Sequence, residues 1–268
     1  MLRRITATVI AAAALIVTPS GVDAQAAPTV MLLHGIPGAT VDVVVGGEVV
    51  VPGFEPGTMQ DLSSFAGQTL TDVEVRVAGT DDVVIGPIPE LAVPASGNWT
   101  VVAHLDGEGT PTLTPFENDI SELAAGQGRL TVRHTAAAPA VDVVLADGSR
   151  PFTNLANPNE AAADLPAGQI AGAGVAPTGG DPIADVPTVT LQAGTNLIVY
   201  AVGSLDADSF TFYTQEISGL GGAPTAVNTG DAIDSNNSLT LVLTAGALAL
   251  AAGGAGLVAS ARRARVER

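Results

Sequence analysis

Two pairs of histidine and aspartate residues are the strongest candidates for chemistry in this sequence. His34 and Asp42 are eight residues apart, and His134 and Asp142 repeat that spacing one hundred positions later. In both places Val-Val follows the aspartate. A histidine beside a carboxylate can serve as an acid–base pair or as part of a metal site. The pairs therefore allow a catalytic or metal-binding interpretation and a structural one.

The structural interpretation is the one we favour. Each pair flanks a predicted turn between two adjacent strands, where a histidine that hydrogen-bonds across the turn is reason enough for its presence. Duplicated catalytic sites are unusual, whereas duplicated fold determinants are expected. An enzyme or metal-dependent binder that uses the pairs remains the alternative. The third histidine, His104, corresponds to Val202 and is interpreted as incidental.

Other kinds of catalytic site find no support in the composition. The chain has no cysteine, which excludes disulfides, thiolate nucleophiles and zinc–sulfur sites. It has no lysine, which excludes a phosphate-binding loop of the Gly-x-x-x-x-Gly-Lys type, and no Gly-x-Ser-x-Gly sequence. We therefore predict a protein that is not an enzyme and has no cofactor.

Acidic loops are the basis of a calcium hypothesis. Carboxylates cluster at Asp81-Asp82, at Asp106 to Glu108 and at Asp206 to Ser209, and the last two clusters occupy corresponding places in the two halves of the chain. Calcium takes six to eight oxygen ligands, and no cluster fits the twelve-residue loop of helix–loop–helix calcium proteins. Calcium is therefore kept only as an alternative.

The charge of the chain restricts its partners. The net charge is −17, and all ten basic residues are arginine. Only four arginines lie within residues 27–260, namely Arg76, Arg129, Arg133 and Arg150. Such an acidic region repels phosphate groups, so nucleic acid and electrostatic adhesion to an anionic membrane are excluded as partners.

The sequence pattern of residues 27–219 predicts an all-β fold. Short runs rich in Val and Leu alternate with turns, and the 31 glycines and 18 prolines suit many short elements. Because no convincing helical period occurs, we predict two tandem antiparallel β-sandwich domains. Within the second domain a loop is expected around Asn154–Asp164, in which the Glu160-Ala-Ala-Ala run could form one turn of helix.

The two ends of the chain have the composition of targeting segments. Arg3 and Arg4 precede an apolar stretch and a small-residue cleavage site at Ala24-Gln25-Ala26, which is typical of a secretory signal. Leu239–Val258 has no charge over twenty residues, enough to cross a membrane as a helix. Arginines after it place the C-terminus in the cytoplasm and the domains outside the cell. The predicted organisation is a signal peptide (1–26), a first β-sandwich (27–125), a second β-sandwich (126–219), a flexible stalk (220–237), a transmembrane helix (238–260) and a basic tail (261–268).

The repeated phrase resembles the opening of a known family of mostly bacterial exported proteins. Their domain of unknown function begins with a pattern like Val-x-x-His-x-x-Pro-x-x-Pro-x-Val-Asp-Val-x-x-x-Gly and often occurs in tandem. The matching residues are His34, Pro37, Val41, Asp42, Val43 and Gly47, and then His134, Pro139, Val141, Asp142, Val143 and Gly148. Each copy keeps one of the two prolines and is one residue shorter between His and Asp. The resemblance covers roughly 29–219 and implies a transthyretin-like or immunoglobulin-like sandwich, with no established reaction.

The sequence as a whole predicts a single-pass protein of the cell surface. Its role would be structural, adhesive or ligand-binding, with an envelope protein or a carbohydrate as the partner of its loops or exposed sheets. The membrane is contacted through the C-terminal helix alone.

Overall fold

The computed structural model describes residues 27–221, and it is built from β-strands with one short 3-10 helix at Ser63–Phe65. The strands of the first half are β1 (Thr29–His34), β2 (Val41–Val45), β3 (Glu48–Phe54), β4 (Met59–Asp61), β5 (Thr69–Val77), β6 (Val83–Ala92), β7 (Asn98–Leu105) and β8 (Pro111–Glu117). The strands of the second half are β9 (Gln127–Ala137), β10 (Val141–Val144), β11 (Phe152–Leu155), β12 (Glu160–Pro166), β13 (Gly168–Ile170), β14 (Gly174–Pro177), β15 (Ala184–Asp185), β16 (Val189–Leu191), β17 (Asn196–Ser204) and β18 (Thr211–Ile217). The all-β prediction is confirmed.

The strands of each half form two main sheets. In the first half the strand orders are β4-β1-β7-β8 and β3-β2-β5-β6. In the second half the corresponding orders are β12-β9-β17-β18 and β11-β10-β14-β15, with β13 and β16 as a separate pair. Inward side chains from the two sheets of each half meet in one apolar core, which gives each half a sandwich-like architecture.

The prediction of purely antiparallel sheets is wrong at one pairing in each half. β1 runs parallel to β7, with Thr29 opposite Asn98, and β9 runs parallel to β17, with Asn196 opposite Arg129. A parallel pair needs a long crossover connection. Here the opposite sheet of the sandwich lies within that connection, so short-range hairpin signals could not reveal the pairing.

The expected loop around Asn154–Asp164 is also partly wrong. Phe152–Leu155 is strand β11, and Glu160–Pro166 is strand β12, which pairs antiparallel with β9. The alanines of β12 are therefore not helical. Along this strand exposed and half-buried residues alternate, and Ala161 and Ala163 pack on the second core. Pairing with β9 outweighs the helix propensity of alanine.

A third apolar cluster joins the two halves. Leu33, Val102 and Phe116 of the first half pack with Ile198, Tyr200 and Val202 of the second. These residues lie on the outer faces of the sheets that contain β7 and β17. As a result all nine residues of β17 are buried, because the strand is covered on both faces.

Several predicted segments lie outside the described residues. They are the signal peptide, nearly all of the stalk, the transmembrane helix and the basic tail. Within residues 27–221, no helix has the length and apolar character needed to cross a membrane.

Candidate functional site

His34 closes the turn that connects the two sheets of the first half. It is the last residue of β1 and is fully buried. Its Nε2 lies 2.8 Å from the carbonyl oxygen of Ala39, and the amide of Ile36 donates to its Nδ1 at 3.3 Å. These partners assign the proton to Nε2, so Nδ1 is the acceptor. Burial lowers the pKa of His34, while the bond to Ala39 acts in the opposite direction. The ring is therefore neutral at neutral pH.

His134 makes the same contacts in the second half. Its Nε2 lies 2.9 Å from the carbonyl oxygen of Pro139, and the amide of Ala136 donates to its Nδ1 at 3.4 Å. The side chain is fully buried, and burial lowers its pKa as well. Neither histidine has a ring nitrogen without a backbone partner.

The two prolines of the motif occupy different positions. Pro139 supplies the carbonyl that His134 contacts, whereas the equivalent carbonyl in the first half belongs to Ala39. Pro37 lies two residues earlier in the turn. The required group is therefore a carbonyl five residues after the histidine, which any residue can supply.

Asp42 joins the neighbouring strand β3 and the turn after β5 to its own strand. Its carboxylate accepts hydrogen bonds from the amide of Gly53 at 2.7 Å and from that of Gly79 at 2.9 Å. These bonds lower the pKa of Asp42. The acceptor is therefore ionised in the neutral range, and its bonds hold the end of β3 and the turn that follows β5.

Asp142 has the equivalent bonds and one more. Its carboxylate accepts from the amides of Gly179 at 3.0 Å and Asn154 at 2.8 Å, and it forms an ion pair of 2.8 Å with Arg150. The two amide bonds are the main reason for the lowered pKa of Asp142, and Arg150 adds to them. Asp142 is 3% exposed, so these contacts replace its hydration almost completely.

The structure does not bring either histidine together with its aspartate. Val41 and Val43 on either side of Asp42 point into the first core, and side chains alternate along a strand, so Asp42 points to the outer face of its sheet. His34 points inward, where its ring packs 5.3 Å from that of Phe54. β1 and β2 follow each other in the chain, as expected, but belong to different sheets, so the turn between them connects the two sheets. The arrangement offers no acid–base dyad.

His104 takes part in a separate hydrogen-bond group. The ring is fully buried, with Nδ1 2.8 Å from the carbonyl oxygen of Leu105 and Nε2 2.8 Å from the hydroxyl of Thr114. Burial is the main cause of its lowered pKa. In the sequence His104 corresponds to Val202 of the second half, and this correspondence did not indicate that His104 is a buried hydrogen-bonding residue.

Asp106, in one of the acidic loops, accepts hydrogen bonds from the backbone of its own loop. Asp106 accepts from the amides of Glu108 at 3.0 Å and Thr110 at 2.8 Å. In the part of the chain that the structure covers, no three His, Asp or Glu residues group closely enough to hold a metal ion.

A buried arginine between the two halves is a feature that the sequence did not indicate. The Arg133 guanidinium lies 4.4 Å from the ring centre of Phe116 in the first half. It donates to the hydroxyl of Tyr200 at 2.9 Å and pairs with Glu160 at 2.7 Å. Tyr200 in turn donates to Gln215 at 2.6 Å. This group of side chains, the Arg133 network, ties β8, β9 and β17 together.

An internal cavity is the second feature that sequence reasoning missed. It lies between the sheets of the first half and has a volume of about 270 Å³. The corresponding space in the second half is about 40 Å³. Because residues from seven of the eight strands line the larger cavity, no local sequence signal could have revealed it.

Comparison with known proteins gives one family match. The model of a family described as a domain of unknown function, DUF4397, matches residues 28–144. The matched region includes the first half and reaches the end of β10, so it contains both histidine–aspartate pairs. No curated protein matches the chain.

Proposed function

We propose that this chain is a non-enzymatic protein of the cell envelope, anchored in the membrane by its C-terminal helix, with a structural, adhesive or ligand-binding role. The observation that carries the proposal is the use of both histidine–aspartate pairs. Each imidazole and each carboxylate is bound to backbone groups of its own half. Groups held in this way stabilise loops and are not available to a substrate.

We further propose that the two halves are two copies of one domain. The strand orders β4-β1-β7-β8 and β12-β9-β17-β18 support this, as do the equivalent bonds of Asp42 and Asp142. The motif would then mark the first turn of each copy, where histidine holds the turn and aspartate holds a neighbouring strand and a turn.

The partner is proposed to be an envelope protein or a carbohydrate, bound through loops or an exposed sheet. The acidic composition supports an extracellular location, because it favours solubility and opposes adhesion to anionic surfaces. The signal peptide and the C-terminal helix would place the two halves outside the cell and the arginine tail inside.

Labelling of introduced cysteines tests the location, because the natural chain has none. Val49→Cys is at an exposed position of β3, and Arg265→Cys is in the tail. We expect a membrane-impermeant maleimide to label the first variant on intact cells and the second only after lysis. Truncation before Leu239 should release the chain into the medium. Labelling of Arg265→Cys on intact cells, or retention of the truncated chain, would contradict the proposal.

Substitution of the histidines tests the non-enzymatic role. His34→Ala and His134→Ala should each lower the melting temperature of the exported part, because the turn loses its contacts and a buried site is left unfilled. A variant that folds as stably as the wild type but loses metal binding or an activity would overturn the structural interpretation.

A further inference from the structure

The first half contains an apolar cavity whose counterpart in the second half is nearly filled, with volumes of about 270 and 40 Å³. We propose that this cavity binds a single unbranched alkyl chain. The inference rests on the ligand-binding part of the proposed function and gives it a ligand class, but it does not depend on the membrane anchor.

The cavity has a closed base and an accessible mouth. Leu32, Val43 and Val75 line the base and are buried. Phe65 and Trp99 also line the cavity and are partly exposed. Trp99 lies near the start of β7 and Val45 at the end of β2, so the mouth is at the opposite end of the sandwich from the turn held by His34. A chain can therefore enter from one end only.

The apolar lining of the cavity favours a hydrocarbon ligand. All of the lining residues are apolar, and the indole nitrogen of Trp99 already donates to the carbonyl of Ser96 at 2.9 Å. A polar group that entered the cavity would lose its hydrogen bonds to water without replacement. Only the apolar part of an amphiphile can enter, and its head group must stay at the mouth.

The volume is sufficient for such a ligand. An apolar cavity of roughly 150 Å³ stays free of water and takes up benzene, whereas drug-sized ligands need roughly 300 Å³ or more. At about 270 Å³ the cavity falls between these cases. It suits a flexible alkyl chain, because methylene groups can adjust to the branched Val and Leu side chains of the lining. A ring-shaped ligand would instead need a flat surface of fixed orientation.

Comparison with the second half indicates which residue determines the volume of the first cavity. Leu113 lies opposite Ala103, and Phe212 lies opposite Ala201 at the corresponding point of the second half. Leu113 lines the first cavity, and Phe212 lines the smaller one, where its ring stacks edge-on with Phe210 at 5.2 Å. An aromatic ring at this position is therefore compatible with the fold, and its absence helps to leave the first cavity open.

The charge of the protein favours an uncharged head group. With a net charge of −17 and no lysine, the chain repels a free carboxylate at the mouth. The alkyl chain could come from a free amphiphile such as a long-chain alcohol or from a phospholipid of the membrane, and the test separates these sources.

The single tryptophan of the chain makes a direct test available. Bromine quenches tryptophan fluorescence only at short range, and Trp99 lines the cavity. The full chain is reconstituted with dioleoylphosphatidylcholine vesicles, and 2-bromododecan-1-ol, whose bromine lies next to its hydroxyl group, is added in one arm. In the other arm the vesicles contain phosphatidylcholine with brominated chains. We expect saturable quenching by the alcohol if the source is a free amphiphile, and quenching in the second arm if it is the membrane.

Filling variants show whether quenching occurs in the cavity. Leu113→Phe should lose the saturable quenching, and the volume-conserving Leu113→Ile should keep it. Val101→Phe, at a half-buried position of the lining, serves as a second filling variant if Leu113→Phe does not fold. Thermal unfolding checks the fold of each variant.

Two results would overturn the proposal. One is the absence of quenching in both arms, and the other is saturable quenching that both filling variants retain. Co-sedimentation with the vesicles reports on the anchor separately. A chain that stays in the supernatant but shows saturable quenching would refute the anchor and retain the alkyl site.

Discussion

Replacement of Arg133 by methionine tests whether the Arg133 network couples the two halves. Methionine keeps an unbranched stem in the buried position but removes the charge over Phe116, the bond to Tyr200 and the ion pair with Glu160. Arg133 is 1% exposed, so water cannot replace these contacts in the folded chain.

The expected magnitude follows from the separate contacts. A hydrogen bond from a charged donor contributes about 1.5–3 kcal/mol, and a desolvated cation over an aromatic ring about 2 kcal/mol. The Glu160 side chain is 40% exposed, so water rehydrates its freed carboxylate at little cost. Removal of a buried charge recovers part of the loss. We expect Arg133→Met to lower the free energy of unfolding by about 2–3 kcal/mol, and the control Arg76→Met, at a partly exposed ion pair of the first half, by less than about 1 kcal/mol.

Urea denaturation with two probes measures both stability and coupling. Trp99 reports on the first half, and the two tyrosines of the chain, Tyr200 and Tyr213, report on the second. In the wild type the two transitions should coincide, because the halves share a buried cluster. In Arg133→Met they should shift to lower urea and separate. If this variant were as stable as the wild type, or less destabilised than Arg76→Met, the cost of burying the arginine would exceed the stabilisation from its contacts, which would refute this prediction.

Three further predictions concern single features of the fold. Burial lowers the pKa of His34, His104 and His134 below the ordinary 6.5, so below that pH the unfolded chain binds more protons than the folded chain. The free energy of unfolding, measured by urea denaturation, should therefore fall as the pH is lowered from 7.5 to 5.5. A pH-independent value over this interval would contradict the buried neutral rings. Asp142→Asn should lower the melting temperature more than Asp42→Asn, because only Asp142 also pairs with Arg150; equal shifts in calorimetry would count against this. Gly203 and Gly148 share a φ of 82°, but a Cβ at Gly203 would collide with the carbonyl of Ser209 while one at Gly148 meets open space. In urea denaturation Gly148→Ala should cost about 1 kcal/mol and Gly203→Ala about 3 kcal/mol or more, and similar losses would be inconsistent with this geometry.

Local patterns in the sequence were sufficient to predict most strands. The apolar run Thr29–His34 ends at a Gly- and Pro-containing turn, a pattern that predicts a strand, and it coincides with β1. The same kind of pattern predicts two short strands at Asp82–Ile85 and Glu90–Val93, but the structure has one strand, Val83–Ala92. The prolines at 87 and 89 are tolerated there because β6 is an edge strand that pairs with β5 alone.

Features that depend on distant residues could not be predicted. The parallel pairing of β1 with β7 joins residues about seventy positions apart. The cavity and the Arg133 network require the arrangement of whole sheets. One local signal was available: Leu197 to Val202 is a continuous apolar run, which is typical of a strand covered on both faces. It indicated burial of β17 but not the identity of the covering surface.

The shared cluster of Leu33, Val102, Phe116, Ile198, Tyr200 and Val202 makes each half depend on the other. Each half has one outer face that is apolar and needs a partner, so a pair satisfies both faces at once. Either half on its own would leave this face exposed to water. An isolated half is therefore expected to need polar residues at these outer-face positions to stay soluble.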